Sequence, residues 1–265
     1  MVYPIEAILL LGVAVANAEP AADLLIGTWS LNLEKSDIRG GLRVTIERRG
    51  EAFRYVSGGV EFTALFGGRD FPIRGVSSQA QVSLKRANSH TIERTYKRES
   101  VPVSSAVLRV SPDGRYLTVE NRRLDSAAEA RQWTNKYQRI TAEDPSDPFI
   151  GTWERNPVRS LGNSLATIAY EVFETDGLHF VGNNVEYRAK PDGKDYPVVG
   201  SIVADSVSFK RPAPGTIEEA WKDGGRLALL VRRVVSADGK TLTAYSTGTT
   251  AEGDRFENTY TYERR

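Results

Sequence analysis

The chain of 265 residues contains no cysteine and only two histidines. Without thiols it can form no disulfide, no cysteine nucleophile and no zinc or iron–sulfur centre bound through cysteine. Two histidines leave little room for a multi-histidine metal site, so we expect no metal and no cofactor. The 35 basic and 34 acidic side chains give a net charge of +1, which provides no excess of base for a nucleic-acid backbone. We therefore expect no nucleic-acid partner.

Long apolar runs are also scarce, and the run at residues 7–16 is too short to span a membrane. It ends in Ala16-Asn17-Ala18, and small residues at this spacing are typical of a signal-peptide cleavage site. The pattern predicts a signal peptide over residues 1–18, a periplasmic or secreted location and no transmembrane segment. No Lys or Arg precedes the run, which is atypical of a signal, and a buried core helix is the alternative.

An internal repeat is the strongest pattern in the sequence. Ile26-Gly27-Thr28-Trp29 recurs 124 residues later as Ile150-Gly151-Thr152-Trp153, and most later matches recur at an offset of 125. This similarity divides the chain into a first repeat at 19–140, a linker rich in proline and acid at 141–148, and a second repeat at 149–265. Residues 19–143 carry a net charge of +5 and residues 144–265 one of −3. Opposite charges favour docking of the two repeats on each other.

Within each repeat the apolar residues alternate with a period of two. In the segment 256–264, for example, Phe256, Tyr260 and Tyr262 share one face of an extended chain. Short β-rich segments of this kind are separated by turns such as Asp238-Gly239, and no window predicts a long amphipathic helix. We therefore predict an all-β protein with two tandem up-and-down β-barrels of eight to ten strands. A β-sandwich is the alternative, but it needs longer connections.

The ends of each repeat resemble the calycin superfamily, the lipocalins and fatty-acid-binding proteins. The resemblance consists of Gly-Thr-Trp at the start (Trp29, Trp153) and an aromatic residue with Arg in the last strand (Arg139, Arg264). It implies that each Trp closes one end of a barrel and that an Arg packs across it, pairing Trp29 with Arg139 and Trp153 with Arg264. The second repeat also resembles a group of exported bacterial proteins with DGKDYPVxG and VSxDGKTLT motifs. Neither resemblance implies an activity.

Aromatic residues on the predicted strands are the candidate ligand contacts. Barrels of about eight strands are filled by side chains or hold one small ligand, so filling of the core is the alternative role for these rings. Tyr outnumbers Phe by 11 to 9, which favours a lumen with hydrogen-bond donors. The candidates are Tyr170, Phe180, Tyr187, Trp221, Tyr245 and Tyr260 in the second repeat and Phe62, Tyr96 and Trp133 in the first.

Three residues are the candidates for acid–base chemistry. Glu61 and Glu186 occupy matching positions, and a glutamate that pointed into an apolar barrel would have a raised pKa. An outward glutamate on an alternating strand is the other interpretation. His179 is a conceivable lone base, although no motif supplies it with a partner, and a surface or interface histidine is the alternative.

Taken together, these patterns lead to three functional hypotheses. The first is an exported protein that binds a small apolar or amphipathic molecule in the lumen of one or both barrels. The second is a cofactor-independent isomerase, cyclase or hydrolase that acts on a lipid or aromatic metabolite inside one barrel. The third is an envelope scaffold for a protein partner, which requires an exposed apolar patch.

Overall fold

The structure is a computed structural model that describes residues 23–38, 43–57, 60–76, 79–124, 132–155, 167–182, 185–249, 253 and 255–265. The predicted signal peptide at 1–18 lies outside these residues. The described residues form strands and turns and contain no helix, which confirms the all-β prediction. In chain order the strands are β1 (Gly27–Ile38), β2 (Arg43–Arg49), β3 (Ala52–Ser57), β4 (Val60–Ala64), β5 (Asp70–Arg74), β6 (Ala80–Asn88), β7 (Thr91–Arg98), β8 (Val101–Val110), β9 (Tyr116–Arg123), β10 (Gln132–Ala142), β11 (Gly151–Arg155), β12 (Thr167–Phe173), β13 (Gly177–Val181), β14 (Glu186–Ala189), β15 (Tyr196–Val199), β16 (Ser206–Ala213), β17 (Thr216–Asp223), β18 (Arg226–Val235), β19 (Thr241–Thr249) and β20 (Arg255–Arg264).

The strands form two closed antiparallel barrels of ten strands each. The first barrel contains β2 to β11 in sequential order, and β11 pairs with β2 to close it. The second barrel contains β12 to β20 in sequential order and is closed by β1, which lies between β12 and β20. Sequential antiparallel neighbours are the up-and-down topology that the short connections predict, and closure leaves neither sheet with a free edge.

The first strand of each repeat lies in the barrel formed by the other repeat. Strand β11, from the second repeat, follows β10 through a short connection and folds back on it as a hairpin. Strand β1, from the first repeat, is then left to fill the gap between β12 and β20. The exchange forms this local hairpin, and it also pairs β11 with β2 and β1 with β12 and β20, which are strands more than 100 residues away. The chain crosses between the barrels twice as a result.

This exchange corrects the predicted pairing of Trp and Arg. The Arg139 guanidinium lies over the Trp153 ring, 4.0 Å from its centre, and the Arg264 guanidinium lies over the Trp29 ring at 4.2 Å. The pairs Trp29 with Arg139 and Trp153 with Arg264 are therefore wrong, because each Trp moves with the exchanged strand. Both Trp side chains are fully buried, and the capping role that the resemblance implies matches this geometry.

The glycine of each Gly-Thr-Trp segment makes room for the Arg. Gly27 and Gly151 have φ values of +131° and +139°, a region that side chains other than hydrogen rarely adopt. A Cβ at Gly27 would lie 2.7 Å from Nη1 of Arg264. A Cβ at Gly151 would lie 2.1 Å from the backbone oxygen of Thr141. The glycine of this motif therefore allows the backbone and the guanidinium to approach each other closely.

Ion pairs join the two barrels. Nη1 of Arg98, at the end of β7, lies 3.7 Å from Asp205 and 3.6 Å from Asp223 in the second barrel. Nη1 of Arg123, at the end of β9, lies 3.7 Å from Glu186 on β14. In all three contacts the first barrel supplies the cation and the second barrel the carboxylate, in line with the opposite net charges of the two repeats.

Candidate ligand-binding lumens

The lumen of the second barrel contains a cluster of aromatic rings. The Phe180 ring lies 5.1 Å from both Tyr170 and Tyr187, measured between ring centres, and Trp221 packs edge-on against Tyr187 at 5.7 Å. All four side chains are buried because they occupy inward positions on strands β12, β13, β14 and β17. The structure therefore brings together four of the six candidates predicted in the second repeat.

A buried ion pair lies beside these rings. The Glu219 carboxylate accepts hydrogen bonds from Nε of Arg233 at 3.1 Å, from the Tyr187 hydroxyl at 2.5 Å and from Nε1 of Trp221 at 3.2 Å. The Glu219 side chain has no exposed surface, and that of Arg233 is 8% exposed. Since buried charges are tolerated when they are paired and hydrogen-bonded, the second lumen neutralises its own charge.

The Tyr170 hydroxyl is an exception within this network. It is buried, and it has no hydrogen-bond partner among the described residues. Burial raises the pKa of Tyr170 well above its usual value, and the nearby positive charge of Arg233 offsets only part of that effect. The hydroxyl therefore stays neutral and keeps a proton that it can donate to a bound molecule.

The first lumen has a similar set of rings but a different charge. Tyr55 stacks on Phe62 with 5.0 Å between ring centres, and Tyr96 meets Phe62 edge-on at 6.3 Å. The Arg94 guanidinium lies over Tyr96, 4.3 Å from the ring centre. Arg94 donates one long hydrogen bond of 3.4 Å to Asn121. Burial acts to lower its pKa, but the nearby Tyr96 and Tyr55 hydroxyls outweigh burial and raise it.

Arg94 and Glu219 occupy equivalent positions of the two repeats. Thr91-Ile92-Glu93 matches Thr216-Ile217-Glu218, and the next residue is Arg94 in one repeat and Glu219 in the other. Both alternate with buried apolar neighbours, so both point inward. Neither residue is among the sequence-based candidates, although opposite charges at matching inward positions of the two repeats would have indicated both.

Two of the remaining aromatic candidates are only partly buried. Tyr260 packs against the second core, and Trp133 on β10 is half-buried. Tyr245 is 45% exposed on the outer face of β19, because Leu242, Ala244 and Ser246 take the inward positions. The prediction that Tyr245 lines a lumen is therefore wrong, because the alternation of β19 turns this side chain to the outside.

The three acid–base candidates lie on the outer faces of the barrels, which matches the outward alternative. His179 lies between two carboxylates, with Nδ1 3.0 Å from Glu171 and Nε2 2.9 Å from Glu186. In the first repeat Arg54 takes the same position, and Nε of Arg54 donates to Glu61 at 3.0 Å while Nη1 contacts Glu47 at 3.1 Å. The two repeats thus share a nitrogen-bearing side chain held between two glutamates on neighbouring strands.

The pKa of Glu186 is lowered rather than raised. Burial acts to raise it, but the hydrogen bond with His179 and the positive charges around the carboxylate outweigh burial. A general acid would need the opposite shift. His179 and Glu186 alternate with the inward rings of Phe180 and Tyr187, so this cluster points away from the lumen.

No family model matches the chain, and no curated protein matches its sequence. Over the described ranges no helix is long and apolar enough to cross a membrane. Within the same residues no group of three or more potential ligands could hold a metal ion. The candidate site therefore rests on the geometry of the two lumens.

Proposed function

We propose that the protein is a lipocalin-like carrier that is exported and binds a small amphipathic molecule inside one or both barrels. The observation that carries this proposal is the Tyr170 hydroxyl, a buried donor without a described partner beside the aromatic rings of the second lumen. Buried polar groups in proteins are nearly always hydrogen-bonded to protein or to another molecule. A ligand with one acceptor and an apolar body would satisfy the hydroxyl and contact the rings.

The number of strands supports the same proposal. Each barrel has ten strands, and the diameter of a barrel grows with strand number. At about eight strands the interior is already just filled by side chains or holds one small ligand. A barrel of ten strands is therefore wider than one of eight.

Binding is tested with the neutral fluorescent probe N-phenyl-1-naphthylamine on the full-length mature protein. We expect saturable binding, and native mass spectrometry of protein purified from its own host should show a retained small molecule. Tyr170→Phe should weaken retention of a molecule that uses the hydroxyl by about five- to tenfold. Tyr245→Phe removes an exposed hydroxyl and is the matched control. Absence of both probe binding and any retained molecule would refute the proposal.

Export is proposed on the run at residues 7–16 and the Ala16-Asn17-Ala18 segment. The mass of the protein recovered from its host should then correspond to residues 19–265. Recovery of the full 265-residue mass from the cytoplasm would contradict export without affecting the proposal on ligand binding.

A further inference from the structure

We propose that an outer face of the second barrel binds a second copy of this chain through a two-fold interface. This face, which we call the outer patch, consists of Leu227, Leu230, Tyr245, Arg255 and Glu257 on strands β18, β19 and β20. The inference concerns the outside of the barrel, so it does not depend on the proposed binding of a ligand in either lumen.

The outer patch contains three exposed side chains that are apolar or aromatic. Leu227 is 57% exposed, Leu230 46% and Tyr245 45%. Leu230 lies opposite Thr247 in the register of β18 and β19, so Tyr245, two residues before Thr247, is its diagonal neighbour on the same face. Leu227, Leu230 and Thr247 also line one open cavity of about 230 Å³. Apolar side chains that are exposed together, unlike single scattered ones, mark a surface that binds another molecule.

The first repeat shows that the fold does not require these side chains. At the positions equivalent to Leu230 and Tyr245 it has Ser105 and Glu120. Strands β8 and β9 pair in the same register as β18 and β19, so a polar and a charged residue form the same part of the barrel. Since exposure of apolar surface to water is unfavourable, the leucine and tyrosine of the second repeat indicate a contact outside the barrel.

Two charged residues make the outer patch complementary to itself. Arg255 and Glu257 alternate with inward residues of β20, and both are exposed on its outer side. Neither forms an ion pair within the part of the chain that the structure describes. A two-fold axis that crosses the sheet near Phe256, the residue between them, places Arg255 of each copy against Glu257 of the other. A second copy therefore supplies the missing partner of both charges.

The balance of charge favours a second copy over a membrane as the occupant. Apolar side chains that bind an anionic lipid surface are accompanied by an excess of Lys and Arg, whereas the outer patch carries one charge of each sign. The net charge of +1 for the whole chain gives two copies little long-range repulsion.

The size of the outer patch sets the expected strength of the dimer. Three apolar or aromatic side chains cover less than the about 800 Å² per partner that a stable interface buries. We therefore expect a weak, reversible dimer that forms above about 10 µM protein.

Sedimentation velocity of the full-length mature protein tests this inference between about 1 µM and about 1 mM. The unmodified protein should change from monomer to dimer over this range. Leu230→Ser introduces the residue that the first repeat has at this position, and it should raise the dissociation constant of the dimer at least about tenfold. Val101→Ser removes an equally exposed apolar side chain from the first barrel. It is the matched control and should change the dissociation constant less than about twofold.

A charge exchange tests the two-fold arrangement itself. Arg255→Glu and Glu257→Arg each set like charges against each other, so each variant alone should stay monomeric over this range. An equimolar mixture of the two variants should form a heterodimer, because every charge then faces one of opposite sign. Circular dichroism shows whether each variant is folded.

Three results overturn the inference. They are an unmodified protein that stays monomeric, a dimer that Leu230→Ser leaves unchanged, and a mixture of the charge variants that does not associate. Binding of the monomer to phosphatidylglycerol vesicles that is lost in Leu230→Ser would instead assign the outer patch to a membrane surface.

Discussion

The ion pair of Glu219 and Arg233 gives the sharpest prediction on stability. Glu219→Met keeps the approximate volume of the side chain but leaves Arg233 charged and buried, and it removes the acceptor of the Tyr187 and Trp221 hydrogen bonds. Breaking a buried pair by removing one partner costs about 3–5 kcal/mol. For a chain of this size that cost lowers the melting temperature by about 10 °C.

The double variant separates the charge from the packing. Glu219→Met with Arg233→Met removes both charges, so only the unpaired hydroxyl and indole donors remain as a penalty of about 1–3 kcal/mol each. We therefore expect the double variant to be more stable than Glu219→Met alone, with a coupling energy of about 2–3 kcal/mol. Glu218→Met, at the exposed neighbouring position, is the control and should cost less than about 1 kcal/mol.

Urea unfolding followed by tryptophan fluorescence measures these values. Trp221 contacts the carboxylate and reports on the second barrel, while Trp153 lies in the core of the first. Where the two barrels unfold in separate transitions, the loss should appear in the transition of the second barrel, and where they unfold together it should appear in the single shared transition. Equal losses in the single and double variants would refute the reasoning, because they would show that the unpaired charge is not the cause.

Two further predictions follow from other parts of the structure. Gly151→Ala should lower the stability of the folded protein by at least about 2 kcal/mol, because the added Cβ meets fixed backbone. The loss should exceed that of Gly27→Ala, whose Cβ meets the movable Arg264 side chain. Thermal melts that rank the two variants in the reverse order would contradict this reasoning. Glu186 has a lowered pKa in the folded protein, so its contribution to stability is complete above the unfolded value of about 4.3 and is lost as pH falls through the folded value. Glu186→Gln should therefore flatten the fall in melting temperature between about pH 5 and pH 3, and an unchanged slope would contradict the assignment.

The fold could be predicted from the sequence because its signals are local. The alternation in β20, the Asp-Gly turns and the offset of 125 residues each depend on neighbouring residues, and together they predict two closed meanders. The exchange of β1 and β11 could not be predicted in this way. Both strands begin with Gly-Thr-Trp, so this motif does not distinguish one barrel from the other.

The candidate site was predictable only in part. The rings of Tyr170, Phe180, Tyr187 and Trp221 could be assigned to strands, but alternation alone does not show which of two faces is inward, and Tyr245 falls on the outer one. The charged residues of the lumens escaped prediction for another reason. An arginine or glutamate in a strand is usually solvated. Only the pairing of strands around a closed barrel shows that Arg94, Glu219 and Arg233 are buried.

The two lumens differ in how their buried charges are paired. The second barrel pairs its buried Glu219 with Arg233. In the first barrel Arg94 forms no ion pair with any residue that the structure describes. A ligand that binds only the folded form of either barrel adds stability in proportion to the logarithm of its concentration relative to its dissociation constant. Strand β11 completes the first barrel and is followed in the chain by β12 of the second. Strand β1 completes the second barrel and is followed by β2 of the first. The loss of a closing strand from one barrel therefore affects a segment that is covalently joined to the other. A ligand bound in one barrel should therefore also raise the stability of the other barrel through the exchanged strands.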